Sequence, residues 1–334
     1  MRHDDAIEGV THRYVDAGGL RMHIAEAGSG PLVLLLHGFP ESWYSWRHQL
    51  TALAAAGFHA VAPDQRGYCR TGPPGSNGEA GHPAQIDQYT ILHLTGDVIG
   101  LMDALGADHA VVAGHDWGAP VAWHAALLRP DRIRGVIGLS VPYRPRGSAR
   151  PLDTLRGYFT DGFYMCYFQQ PGVADAELSR DPRATFRRLL YAASGDGPAG
   201  GAPVVPPGGG FLDICPEPDA LPAWLTSADI DVFVAEYAEV GFTGPLNWYR
   251  NLDRNWELTA AWQHAPVTVP ALYLAGDRDL VVAFSGGPAM LAGLKDCVPR
   301  LREPVLLPGC GHWTQQERPD EVSEAMIEFI RELG

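Results

Sequence analysis

The sequence predicts an α/β fold, with a mostly parallel central sheet flanked by helices and a helical domain inserted into it. Three observations carry this. Short, continuous apolar runs alternate with helical periodicity between residues 31 and 139, the alternation stops from 142 to 265, and it resumes at 270. Unbroken apolar runs mark strands buried on both faces, where a parallel sheet puts them. Strands that alternate with helices build a doubly wound sheet.

Residues 10–27 alternate around Gly18-Gly19, the signal of a β-hairpin. Pro31-Leu-Val-Leu-Leu-Leu-His-Gly38 reads as a buried strand, 46–56 as a helix and 58–64 as a second buried strand. A long amphipathic helix is expected over 87–105, a third buried strand over 109–115, a helix over 119–129 and a strand over 134–139. The stretch 142–265 is rich in aromatics and lacks apolar strand runs, so it is expected to form a helical cap on a core made of 1–141 and 266–334. Inside it, the glycines and prolines of 194–210 support neither helix nor strand and predict a mobile, linker-like surface loop. The pattern then returns as a strand at 270–276, a helix near Ala289, a strand at 304–308 and a terminal helix over 319–332, with Pro319 at its first turn.

Composition excludes several chemistries. The 334 residues carry 39 acids against 25 Lys plus Arg, a net charge of −14, and Lys295 is the sole lysine. A P-loop lysine and a polybasic membrane patch therefore have no residue to stand on. With no arginine run longer than a pair, a nucleic-acid partner is not expected. The five cysteines, Cys69, Cys166, Cys215, Cys297 and Cys310, are odd in number and lack CxxC spacing, so free thiols are expected rather than disulfides or a zinc site. The N-terminus has no apolar core of a signal peptide and no segment has the length of a membrane span, which predicts a cytoplasmic protein.

The strongest chemical signal is Gly114-His115-Asp116-Trp117-Gly118, between a buried strand and a helix. Small residues two positions either side of a central one mark a nucleophile elbow, a strained turn that lifts the central side chain above the carboxyl edge of the sheet. Here that residue is an aspartate, whose attack would give an alkyl ester and calls for a saturated electrophilic carbon. Turnover then needs a base to activate water and a group to orient the base. His312, in Gly309-Cys-Gly-His-Trp, is the candidate base; Asp279 is the candidate orienting acid, with Asp277 in the same loop as its rival. Nucleophile, acid and histidine follow the chain order of an α/β-hydrolase. In that fold, the oxyanion donors are the amide after the nucleophile, here Trp117, and one in the loop after the early strand, here Phe39. His37 and His115 are read as scaffold.

Five stretches resemble the soluble epoxide hydrolases of the α/β-hydrolase superfamily: residues 37–47, 114–118, Tyr167-Phe-Gln with Pro171-Gly-Val-Ala, 244–252 and Gly311-His-Trp-Thr-Gln. They span nearly the whole chain. The resemblance implies the α/β-hydrolase fold with a cap and a two-step opening of an epoxide to a vicinal diol. It also implies two cap tyrosines that hydrogen-bond the epoxide oxygen; by motif position these are Tyr164 and Tyr249, with Tyr167 competing for the first place. Phe39, Pro40, Trp117 and Trp313 are the expected substrate-contacting residues. An epoxide and water are the expected partners, with no cofactor or metal, and a homodimer remains open. The chain is similar to stand-alone bacterial and plant members, without the phosphatase-like domain of two-domain mammalian ones. The 194–210 stretch departs from the family's cap. Two alternatives stay open: a dehalogenase, although those usually carry Asn where Phe39 stands, and a non-catalytic binding protein on the same scaffold.

Overall fold

The computed structural model describes residues 7–72, 86–198 and 202–334. Among the described residues eight strands form one sheet in the order β1-β2-β4-β3-β5-β6-β7-β8. β1 (Val10–Ala17) and β2 (Leu20–Ala27) make the hairpin, and β2 runs antiparallel to β4 (His59–Pro63). From β4 onward every pairing is parallel: β3 (Leu32–Leu36) beside β4 and β5 (Ala110–His115), then β6 (Ile133–Leu139), β7 (Ala271–Gly276) and β8 (Val305–Leu307).

The strand side chains alternate between two apolar layers. Leu32, Leu34 and Leu36 join one, packed with Leu94, Val98 and Leu101 of the Ile91–Ala104 helix and Val121 of the Gly118–Leu128 helix. Val33 and Leu35 join the other, with Leu50 and Leu53 of the Arg47–Ala55 helix and Val322, Met326, Phe329 and Ile330 of the Pro319–Glu332 helix. That terminal helix shows why it forms. Its buried residues recur at helical spacing, Asp320 and Glu321 sit in the first turn, and Arg331 sits in the last, as the helix dipole favours. Truncating the fully buried Met326 to alanine would cost ~2–5 kcal/mol.

Two expectations need correction. The helix expected over 87–105 starts later, at Ile91, because Thr90 caps it with its hydroxyl accepting from the His93 amide; Ile86–Tyr89 is a separate 3₁₀ turn. The 194–210 stretch is not a bare surface excursion, although its residues 199–201 lie outside the described residues. Ser194 and Val205 are buried, and the Tyr164 amide donates to Pro203 O at 3.0 Å. Glycine permits this packing: a Cβ on Gly195 would stand 2.1 Å from Gly309 O.

Between β6 and β7 the chain is helical, from Pro151–Phe159 to Leu252–Leu258. Its Tyr237 hydroxyl donates to Glu41 O at 2.9 Å and its Trp248 indole to Arg66 O at 3.1 Å. These bonds seat it on the loops after β3 and β4, over the end of the sheet where the elbow lies. All five cysteines are free, and among the described residues no helix is long and apolar enough to cross a membrane.

Candidate active site

Asp116 follows directly on β5 with φ +48°, a left-handed conformation that costs a non-glycine residue about 1–2 kcal/mol. The surroundings enforce it by leaving no room at the flanking positions. A Cβ on Gly114 would lie 2.0 Å from Gly118 O, and one on Gly118 would lie 2.1 Å from Leu36 O. The Phe39 amide donates to Asp116 Oδ1 at 2.7 Å, while Oδ2 faces His312 Nε2 at 3.5 Å. Trp117 opens the following helix as its N-cap.

His312 sits after β8 and Asp279 after β7. Nδ1 of His312 lies 3.2 Å from Asp279 Oδ1, and the Val281 amide donates to the same oxygen at 2.8 Å. Asp277 is exposed and accepts from the Gly309 amide at 2.7 Å, so it is not brought to His312. Burial by itself would push the His312 imidazole down. The Asp279 and Asp116 carboxylates facing it outweigh burial and hold it well above its ordinary value. Burial would likewise raise Asp279, yet the charge and hydrogen bond of His312 hold that carboxyl below its usual range.

The two scaffold histidines are engaged. The Gln65 amide donates to His37 Nε2 at 3.1 Å and His37 Nδ1 meets Gly38 O at 3.0 Å, which ties the loop after β3 to the chain after β4. His115 Nδ1 pairs with Glu41 Oε2 at 2.6 Å and Nε2 with His312 O at 2.7 Å. Glu41 also accepts from the Gly38 amide at 3.0 Å. Burial would raise this carboxyl, but His115 beside it holds it down at about 2.

Above Asp116, two cavities of about 810 and 710 Å³ share Asp116, Tyr164, Tyr249 and Val281 in their walls. Phe39, Pro40, Trp313 and His312 line the larger; Trp117 lines the other. The Tyr164 and Tyr249 rings stand edge to face with centroids 6.0 Å apart, and the Trp117 ring lies 5.2 Å from Tyr249. Burial first, and then the Asp116 charge, push both phenols well above their ordinary value, so both keep their protons to donate. Tyr167 instead donates to Glu177 Oε2 at 2.7 Å. Among the described residues one buried trio, Asp64, Cys69 and Glu236, has the spacing of metal ligands. It is an ion-pair knot: Arg70 meets Glu236 at 2.6 Å, His23 meets Asp64 at 2.8 Å, and burial pushes the Cys69 thiol well up.

Residues 31–190 match the alpha/beta hydrolase fold family. The chain is 45% identical to Epoxide hydrolase A of Mycobacterium tuberculosis, covering 97% of this chain and 98% of that protein. The chain belongs to the epoxide hydrolases of the α/β-hydrolase fold. It is also 42% identical to Epoxide hydrolase 1 of Siraitia grosvenorii, over 98% of this chain and all of that one. An epoxide hydrolase from an endophytic Streptomyces superimposes with a TM-score of 0.91 at 46% identity, over 98% of this chain and 96% of the other.

Two features of this epoxide hydrolase site escape a reading of the sequence. Ser140, one residue past β6 with φ +68°, donates to Asp279 Oδ2 at 2.5 Å and lies 2.8 Å from His312 Nδ1. A lone serine in Leu-Ser-Val carries no local signal, and only the pairing of β6 with β7 brings it there. Glu317 accepts from the Gly195, Gly311 and Trp313 amides at 2.9, 2.9 and 3.0 Å, fastening the His312 loop to the start of the Gly/Pro stretch. Its only signal is position, three residues into the turn after Trp313-Thr314.

Proposed function

We propose that this protein opens an epoxide to a vicinal diol through an ester on Asp116. Oδ2 attacks an epoxide carbon as the ring C–O bond breaks, and Tyr164 and Tyr249 hydrogen-bond the departing oxygen and supply its proton. Oδ1, already held by the Phe39 amide, becomes the ester carbonyl oxygen. His312 Nε2 then takes a proton from water as the water oxygen adds to that carbonyl. The Phe39 and Trp117 amides stabilise the oxyanion. Collapse breaks the ester C–O bond, the proton passes from His312 to the leaving alkoxide, and Asp116 keeps the oxygen from water, whose remaining proton returns to the phenolate. Asp279 orients the imidazole and offsets its charge.

The single observation that carries this reading is an aspartate at the elbow and two protonated phenols, the half-buried Tyr164 and the buried Tyr249, lining one cavity. Phenols answer the need of a strained ether, whose opening oxygen must be protonated, whereas a departing halide needs no proton. At the loop position where a dehalogenase would offer an amide side chain, Phe39 packs edge to face on Phe168 and Tyr249.

Mass spectrometry of His312→Gln incubated with styrene oxide or trans-stilbene oxide tests it. The expected result is an alkyl adduct on the peptide that contains Asp116. No adduct there, with diol still formed by the wild type, would overturn the ester mechanism.

A further inference from the structure

We infer that Ser140 is a positioning residue for the second half-reaction, holding Asp279 and His312 in the geometry and tautomer that ester hydrolysis requires. The inference rests on the ester mechanism proposed above. It starts from hydrogen-bond accounting. Asp279 is an ionised carboxylate, held low by His312, and can only accept; the Ser140 hydroxyl at 2.5 Å from Oδ2 therefore donates its single proton there. With that proton committed, Oγ has only lone pairs left for His312 Nδ1 at 2.8 Å, so the imidazole is the donor. Nδ1–H is shared between Ser140 Oγ at 2.8 Å and Asp279 Oδ1 at 3.2 Å, and the shorter of the two bonds goes to the serine.

Once the imidazole is neutral, this arrangement leaves Nε2 as the ring nitrogen with a lone pair on the side facing Asp116, where water must be deprotonated. It also closes a three-membered ring of contacts among buried groups, so that neither the carboxylate nor the imidazole can rotate without breaking a bond. The serine is itself fixed. Ser140 is fully buried, its amide donates to Leu274 O at 2.9 Å, and its carbonyl accepts from the Tyr273 hydroxyl at 2.7 Å. The two strands thus deliver the hydroxyl, β6 by ending at Leu139 and β7 by supplying Leu274 and Tyr273.

Among the described residues Ser140 is hydrogen-bonded to Asp279, His312, Leu274 and Tyr273 and not to Asp116, Tyr164 or Tyr249, which separates the two steps of the cycle. Rapid-quench single turnovers of Ser140→Ala, with whichever of styrene oxide and trans-stilbene oxide the wild type turns over faster, should give ester formation within about twofold of wild type. Ester hydrolysis should slow about tenfold or more, the loss expected for one hydrogen bond to a charged group, and the ester should accumulate. Ser140→Gly serves as the second variant, because glycine adopts φ +68° without strain and still lacks the hydroxyl; it should show the same split. Equal slowing of both steps in the two variants would reduce Ser140 to a structural role, and unchanged hydrolysis would overturn the inference outright. Failure to find any ester on Asp116 even in His312→Gln would instead overturn the underlying mechanism.

Discussion

Replacing Gly38 by alanine should disable the enzyme without unfolding it. A Cβ at this position would lie 2.3 Å from Asp116 Cβ, 2.4 Å from its Oδ1 and 2.7 Å from its Cγ. Ordinary contact needs about 3.4 Å or more, so one partner must move by about 1 Å. The loop is poorly able to yield: the Gly38 amide is bound to Glu41 Oε2 at 3.0 Å, and the Gln65 side chain holds His37 O. Asp116 is therefore displaced, and its 2.7 Å bond from the Phe39 amide is lost. A 1 Å misplacement of a reacting group costs on the order of a hundredfold in rate, about 2.7 kcal/mol of barrier. The assay is diol formation under kcat/KM conditions, with circular dichroism and Tm to verify folding. Gly96→Ala is the control, since its Cβ enters open space on the exposed face of the Ile91–Ala104 helix and should stabilise by about 1 kcal/mol. A folded Gly38→Ala enzyme within about threefold of wild-type kcat/KM would refute the reasoning.

The other predictions concern proton transfer and charge. Tyr164→Phe and Tyr249→Phe should each slow ester formation on the order of a hundredfold, while hydrolysis of a preformed ester stays near wild type; stopped-flow single turnovers resolve the two, and the opposite split would contradict the assignment. Glu41, held at about 2 against an unfolded value of 4.5, has a depressed pKa, so its contribution is complete above the unfolded value and is lost as pH falls through that window. Urea unfolding of wild type and Glu41→Gln should differ by on the order of 3 kcal/mol more at pH 6 than at pH 2, and a pH-independent difference would count against it. In Asp116→Asn the His312 imidazole should titrate lower than in wild type, because one of the two carboxylates that raise it is gone; NMR titration of the ring protons measures this.

The fold was legible where burial is symmetrical. A run such as Leu32–Leu36 feeds both apolar layers at once, so nothing in its sequence alternates and its strand identity follows from continuity and length. The elbow was legible for a related reason: its glycines are forced by contacts of 2.0 and 2.1 Å, and such steric demands leave a mark in the sequence. The Gly/Pro stretch misled because its composition speaks of local propensity only. Its packing comes from glycine-on-glycine approach between Gly195 and Gly311 and from Glu317, both remote in sequence. The sequence favours Asp279 over Asp277 only narrowly, since both follow β7 within three residues; the helix that Asp279 caps at Leu280 turns one inward and leaves the other in solvent. Tyr164 and Tyr249 rest on family likeness alone until the helices place both rings beside Asp116.

These pieces combine into one electrostatic consequence. In the free protein His312 stands between two anions, Asp279 at 3.2 Å and Asp116 at 3.5 Å, and together they favour its charged form against the cost of burial. A base must be neutral to take a proton from water, so an imidazole poised in this way is the wrong species for hydrolysis while Asp116 is ionised. In the proposed cycle, forming the ester changes that. It removes the Asp116 charge at one stroke and leaves Asp279 as the carboxylate in contact with the ring, which lowers the affinity of His312 for its proton in the one state of the cycle that requires a free lone pair on Nε2. Release of the diol restores the carboxylate and with it the resting charge. In the proposed cycle the nucleophile thus sets the protonation of the base that later attacks it through water, and the short bond from Ser140 to Asp279 matters because Asp279 is the carboxylate in contact with the imidazolium when hydrolysis forms it.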